Sequence, residues 1–144
     1  MSEVDEFLSA VLPVIREMDK AFVNGDAGQR MRVWSHNDPV TLFGALFTKS
    51  GWSEVSQTFE FLASRFSQGQ SYEYEVLAAG ASGDLGYIVG PEHTTASIGG
   101  AEPESFTLRV TTIFRREDGE WKIVHRHADP APDSDSAQRQ LDRF

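Results

Sequence analysis

The sequence predicts an α+β fold in which helices cover one face of a mainly antiparallel sheet. Three observations carry that prediction. Apolar residues recur at helical spacing in the first half of the chain, while the second half alternates with the two-residue period of strands. Glu117-Asp118-Gly119-Glu120 sits between two β-rich runs and has the Asp-Gly pair of a tight hairpin. A long amphipathic stretch opens the chain. A curved sheet wrapped around this long N-terminal helix, with two further helices, would form a cone with an open mouth.

Bulk properties narrow the possibilities. The 144 residues are enough for one domain with a sizeable core, and 40% hydrophobic content with ten Phe fits a globular class. Without cysteine there is no thiolate nucleophile, disulfide or Cys-ligated metal. A net charge of −9 argues against nucleic acid, which requires a cationic footprint. No run approaches the ~20 apolar residues of a membrane span, and no signal-like N-terminus is present, so a soluble cytoplasmic protein is expected.

In chain order, 2–23 reads as a helix with Phe7, Leu8, Val11, Ile15, Met18 and Phe22 in one stripe. Ser2 and Asp5 form a start resembling a capping box, Pro13 would loosen one turn, and Asn24-Gly25 ends the helix. Asp26 can cap a short helix over 27–34, which the turn Asn37-Asp38-Pro39 stops. A strand over 40–43 and a loop over 44–51 lead to a third helix over 52–66, closed by Gln68-Gly69. Strands follow over 72–79 and 85–98, the second with Leu85, Tyr87 and Val89 on one face and Pro91 at a bulge or edge. A Gly- and Pro-containing connection leads to the last two strands, 109–114 and 121–129. Residues 1–130 form the expected domain and 131–144 a polar, solvated tail.

The final strand carries the candidate chemistry. Trp121, Ile123, His125, His127 and Asp129 share one face by simple alternation, and Lys122, Val124 and Arg126 share the other. The cationic face is expected to be solvated, so the histidine face is expected to line the pocket. Histidine suits acid/base work because its ordinary pKa lies near 6.5. The plainer reading has one histidine packed under a helix. A metal reading would need His36 or His93 as third ligand. Arg109 and Thr111, with Ile113, are expected beside the histidines. A buried Arg109 would pair with Glu92 or Asp38, or with an anionic ligand. Trp34 is expected in the core or closing the pocket mouth, and His36 and Asp38 serve either as turn formers or as pocket groups. Tyr72, Tyr74 and Tyr87 are expected to pack on the sheet, unless one hydroxyl reaches the cavity and donates to an oxyanion, and Glu92 is expected to place a carboxylate in the pocket.

Trp34-Ser-His36-Asn-Asp38-Pro-Val-Thr-Leu-Phe-Gly44, Gly51-Trp52, Leu108-Arg109-Val-Thr111 and Asp118-Gly-Glu-Trp121-Lys-Ile-Val-His125-Arg-His127, in this order, resemble SnoaL-like proteins. These belong to the nuclear transport factor 2-like and ketosteroid isomerase-like superfamily, and the resemblance covers about residues 3–130. It implies the cone fold and a pocket hosting cyclases, isomerases, dehydratases or non-catalytic modules. The motifs do not place the isomerases' Asp base and Tyr donor on this chain, nor the His-Asp dyad of dehydratase relatives. The expected activity is cofactor-free acid/base chemistry beside a carbonyl on a small acidic or aromatic ligand, with His127, His125 and His36 as catalytic candidates. Arg109, Thr111, Trp34, Asp38, Tyr87 and Glu92 are the binding candidates. The alternative is a ligand-binding or associating module. The resemblance also implies a homodimer through the outer sheet face, with Val110, Thr112, Phe114 and Val124 as its apolar patch.

Overall fold

A computed structural model describes residues 1–44, 46–132, 139 and 142–144. Its elements run α1 (Glu3–Phe22), α2 (Gly28–Val33), β1 (Thr41–Gly44), β2 (Thr48–Ser50), α3 (Trp52–Arg65), β3 (Phe66–Tyr74), β4 (Ala78–Ser82), β5 (Leu85–Ile98), β6 (Glu104–Glu117) and β7 (Glu120–Pro130). The seven strands form one sheet in the order β2-β1-β7-β6-β5-β3, with β4 also paired to β5. All pairings are antiparallel except β1 with β7. Among the described residues no helix is long and apolar enough to cross a membrane.

Local chemistry explains the helix ends. Ser2 Oγ accepts from Asp5 N at 3.2 Å while Asp5 Oδ2 accepts from Ser2 N, a reciprocal capping box. Pro13 lies within α1 without ending it. After α1, Gly25 takes the positive φ of 94° that the chain needs to leave the helix. Asp26 Oδ1 then accepts from Gly28 N at 2.8 Å at the start of α2. The apolar stripe of α1 packs onto the sheet, with the Phe7 ring edge-on to Phe114 at 5.3 Å and to Trp121 at 4.9 Å. The face of the sheet beneath the helices is therefore the inner one.

The strands depart from the expected boundaries in three places. The loop expected over 44–51 contains β2, hydrogen-bonded back onto β1. Gln68-Gly69 does not stop a helix. Gln68 adopts a φ of 50°, and the register shifts between Ser67 and Ser71, so these residues form a bulge within β3. The single strand expected over 72–79 is two, β3 and β4, both paired to β5. Where they pass, a Cβ on Gly90 would stand 1.7 Å from the Glu75 carbonyl oxygen, so β5 needs glycine there.

The consequential departure is in β7. Asp118 and Gly119 make the expected hairpin turn, both with positive φ. From there β6 and β7 pair in register through Phe114↔Ile123, but the next pair is Ile113↔His125. Val124 is an extra residue, and past this bulge the side chains of β7 change faces. Ile123 and Ala128 are buried with Val110, Thr112 and Phe114, and Arg126 joins them. His125, His127 and Asp129 turn outward, and with them their cross-strand partners Ile113, Thr111 and Arg109. The expectation that the histidine face lines the interior is thus corrected. So is the outer apolar patch, since Val110, Thr112 and Phe114 are 2%, 3% and 1% exposed and belong to the core.

The segment expected as a solvated tail is partly accounted for. Residues 133–138, 140 and 141, which include most of its polar run, lie outside the described residues. Of the rest, Arg139 and Arg143 pair with Glu104, and the Phe144 ring packs against Phe66 at 5.6 Å.

Candidate active site

Beneath the helices the inner face encloses a cavity of about 110 Å³. Its walls are largely apolar, from Phe22 of α1, Leu42 of β1, Leu62 of α3, Phe66 at the start of β3, and Ile98, Phe106 and Leu108 of β5 and β6. Phe144 adds a further ring. Six polar side chains also line it: Asp19, Arg30, Tyr72, Glu92, Thr94 and Arg126.

Apart from Thr94, which shares β5 with Glu92, each comes from a different element. Asp19 interrupts the apolar stripe of α1 one turn after Ile15 and is 1% exposed. Arg30 of α2 donates from its Nη2 to Asp19 Oδ1, and its guanidinium lies 3.5 Å from the centre of the Phe22 ring. Glu92 of β5 and Arg126 of β7 face each other across β6 in a bidentate pair, with both contacts at 2.8 Å. Tyr72 of β3 donates to Glu92 Oε2 at 2.7 Å. Asp19 Oδ2 is buried and has no hydrogen-bond partner among the described residues. An unmet buried acceptor costs about 1–3 kcal/mol.

The two carboxyls are driven in opposite directions. Burial lifts Asp19 above its ordinary value; Arg30 pulls it down without prevailing, the negative charge of Glu92 lifts it further, and Arg126 and the nearby Tyr72 hydroxyl oppose the rise more weakly. Burial also presses upward on Glu92, but the charge and hydrogen bonds of Arg126, with the Tyr72 hydroxyl, outweigh it and hold Glu92 below the usual range. Burial and the charges of Asp19 and Glu92 push Tyr72 well above its usual value, which keeps its hydroxyl protonated. Burial would lower Arg126, but Glu92 raises it, so it stays charged. Two nearby carboxyls displaced to opposite sides are the pattern of divided acid/base duties.

Of the residues expected at the site, Glu92 lies in this cavity and the others lie elsewhere. His125 is on the outer face, its Nδ1 2.7 Å from Thr41 Oγ1 and its ring edge-on to Phe43 at 5.1 Å. His127 Nε2 lies 3.3 Å from Asp129 Oδ2, both roughly half exposed. Arg109 and Thr111 flank these groups in an outer groove with Leu77, Val89 and Pro91. Arg109 is exposed, so it needs no buried anion. Tyr87 is 45% exposed on the same outer face. Trp34 is core, its ring edge-on to Phe59 at 4.9 Å. His36 stacks on Trp52 at 4.1 Å with Nε2 2.7 Å from the Met31 carbonyl oxygen. Asp38 Oδ1 accepts from Trp52 N at 2.9 Å, which satisfies an orphan donor at the start of α3. The third-ligand candidates for a metal are also dispersed: His93 contacts Thr107 and Glu75. Among the described residues no group of three or more His, Cys, Asp or Glu is placed to hold a metal.

Sequence reasoning missed Asp19, Arg30 and Arg126 as site residues, and offered Tyr72 only as one of three tyrosines of which one hydroxyl could reach the cavity. Asp19 had a readable signal, a carboxylate on the buried stripe between Ile15 and Phe22. Arg126 had none, because without the bulge it falls on the solvated side of β7.

Comparison with known proteins agrees with this architecture. The SnoaL-like domain family matches residues 11–132. Among solved structures, a candidate dehydratase of the nuclear transport factor 2-like family from Streptomyces avermitilis superposes with a TM-score of 0.71. It is 18% identical, over 88% of this chain and 97% of that one. A nuclear transport factor 2-like superfamily protein from Salmonella enterica gives 0.68 at 15% identity, over 88% and 92%. A candidate ketosteroid isomerase from Parabacteroides distasonis gives 0.65 at 11% identity, over 85% and 86%. No curated protein matches the sequence significantly. At these identities the superpositions speak for the fold, and the family match over most of the chain speaks for descent: the protein belongs to the SnoaL-like domain family, on the nuclear transport factor 2-like α+β fold.

Proposed function

We propose that the inner cavity binds a small, largely apolar molecule and that Asp19 moves a proton on it beside a carbonyl group. The observation that carries this reading is the free oxygen of Asp19, on a carboxyl that burial lifts above its ordinary value, in a mostly apolar cavity. In the ionised form, Oδ2 takes a proton from the carbon next to the carbonyl, and the C–H electrons pass into an enolate. Returning that proton to another carbon is an isomerisation. Attack of the enolate carbon on a second carbonyl is a cyclisation. Loss of a neighbouring hydroxyl, which takes the proton and leaves as water, is a dehydration. Arg126 spends two of a guanidinium's five donors on Glu92, so it can stabilise developing negative charge, while the single Tyr72 hydroxyl proton is given to Glu92 Oε2.

The test uses a β,γ-unsaturated cyclohexenone, followed by deuterium exchange in NMR and by ultraviolet absorbance of the conjugated product. The wild-type chain should accelerate exchange over buffer, and Asp19→Asn should lose roughly a hundredfold or more of it, the scale of a general base. Equal exchange by the two folded proteins would remove Asp19 from the chemistry.

A second reading concerns assembly. Leu77, Leu85, Tyr87 and Phe43 are 68%, 57%, 45% and 38% exposed, an unusual amount of apolar surface for one sheet region. This favours pairing with a second copy through the outer face, as the sequence suggested, but through these residues. Native mass spectrometry should give a dimer that Leu85→Glu with Tyr87→Glu converts to monomer. A wild-type monomer would end this reading.

A further inference from the structure

We infer that the cavity takes a neutral, apolar molecule carrying a hydroxyl, as in a phenol or an enol, and that this hydroxyl donates its hydrogen to Asp19 Oδ2. The inference rests on the reading of the cavity as a ligand site and narrows it to a substrate class; a carboxylate oxygen has two lone pairs, so a hydroxyl on one leaves the other to take the proton. Four charged side chains line the cavity, two of each sign, and each cation is already bound to a carboxylate. Arg126 is held by two contacts to Glu92, whose Oε2 also accepts from Tyr72. A carboxylate ligand would find both cations already paired. It would also set a third anion near Asp19 and Glu92 and leave Oδ2 unmet. An ammonium could donate to Oδ2, but it would bring a third cation beside Arg30 and Arg126 among apolar walls that cannot solvate it. A hydrocarbon fits the walls and leaves the acceptor bare. A neutral hydroxyl satisfies Oδ2 without adding charge, and a buried acceptor that gains its partner only from the ligand discriminates strongly against analogues lacking it. The acidic ligand expected from sequence rested on a buried, unpaired Arg109; that residue is exposed on the other face.

The experiment compares three one-ring probes of the same outline, para-cresol, para-toluate and toluene, by calorimetry and ligand-observed NMR against the full chain. One ring is the largest unit to try, since an apolar cavity of about 150 Å³ admits benzene and this one, at about 110 Å³, is partly open. Para-cresol should bind at least tenfold more tightly than either of the others. Asp19→Asn can offer an amide donor where Oδ2 was an acceptor, so it should abolish the preference for para-cresol over toluene. If that variant fails to fold, the wild-type ranking of the three probes still decides. Tightest binding by para-toluate would overturn the inference and restore an anionic ligand. Equal binding of para-cresol and toluene would overturn it while leaving the cavity a ligand site. Binding of none of the three would overturn both this inference and the proposed function.

Discussion

Arg126 and His127 are neighbours in β7, and each stands beside a carboxylate, yet the two pairs occupy different media. The Arg126–Glu92 side chains are 11% and 4% exposed and joined by two 2.8 Å contacts. The His127–Asp129 side chains are 48% and 41% exposed, 3.3 Å apart, and open to water. Opposite charges at similar spacing attract far more strongly where water is excluded, and lose far more when one partner is removed. The inner face is therefore where a displaced pKa and an unmet acceptor can be sustained, and the outer face is where similar residues remain an ordinary polar surface. The bulge at Val124 decides which residue receives which medium.

The bulge is thus the largest lever. Deleting Val124 would restore plain alternation, turn Arg126 outward and leave Glu92 buried with Tyr72 alone. The expected result is failure to fold, or a loss beyond the about 4–5 kcal/mol that marks exceptional single changes, measured by circular dichroism and urea unfolding. A cooperative unfolding transition at the wild-type midpoint would mean that the bulge does not assign the two faces.

Next in size is a direct comparison of the two pairs. Arg126→Met strands the Glu92 carboxylate and should cost about 3–5 kcal/mol. Adding Glu92→Leu should recover most of that loss, because the pair then vanishes as a unit. Asp129→Ala, one face away, should cost less than about 1 kcal/mol and shrink further in salt. Equal costs at the two places in denaturant melts would erase the distinction between the faces.

Acid titration tests the inner face from within. The folded state holds Glu92 below its ordinary 4.5, so between the two values the unfolded chain binds more protons. Its contribution is present above 4.5 and is lost as pH falls through the folded value. Asp19 has the opposite sign, being raised above 3.8 in the folded state. Its contribution is present below 3.8 and is lost as pH rises through its folded value. Glu92→Gln should therefore flatten the acid limb of the urea midpoint against pH, and Asp19→Asn should remove a decline toward neutral pH. If both variants flatten the same limb, the opposite displacement of the two carboxyls is wrong.

How far these features were legible in the sequence follows the same division. The Ser2 cap, the stripe of α1, the Asp118-Gly119 turn and the limits of β5 each depend on local chemistry, and local chemistry is written in consecutive residues. The face of each side chain beyond Val124 is not, because valine is an unremarkable strand residue and nothing beside it marks an insertion. One uncounted residue was enough to exchange His127 for Arg126 on the inner face and to invert the reading of β6 with it. Arg30 was equally hidden, and Tyr72 could not be told apart from Tyr74 and Tyr87: each becomes a site residue only through a partner 11 or 20 positions away in the chain. Asp19 was the exception, since a carboxylate inside an apolar stripe is anomalous from the spacing of its neighbours alone.

The smallest effect tests whether the outer face is as open as the comparison supposes. Burial, and then the nearby His127, lower His125 below its ordinary 6.5, while contact with Thr41 opposes them. An NMR titration should accordingly place the His125 midpoint below 6.5, and His127→Ala should raise it by a fraction of a unit by removing a neighbouring positive charge. The same titration repeated over a wide range of protein concentration separates two sources of burial. If Phe43 and Thr41 alone shelter His125, its midpoint will not depend on concentration. If a second copy covers this face, dilution will expose the ring and move the midpoint upward, and the outer face would then be buried by association rather than by the fold.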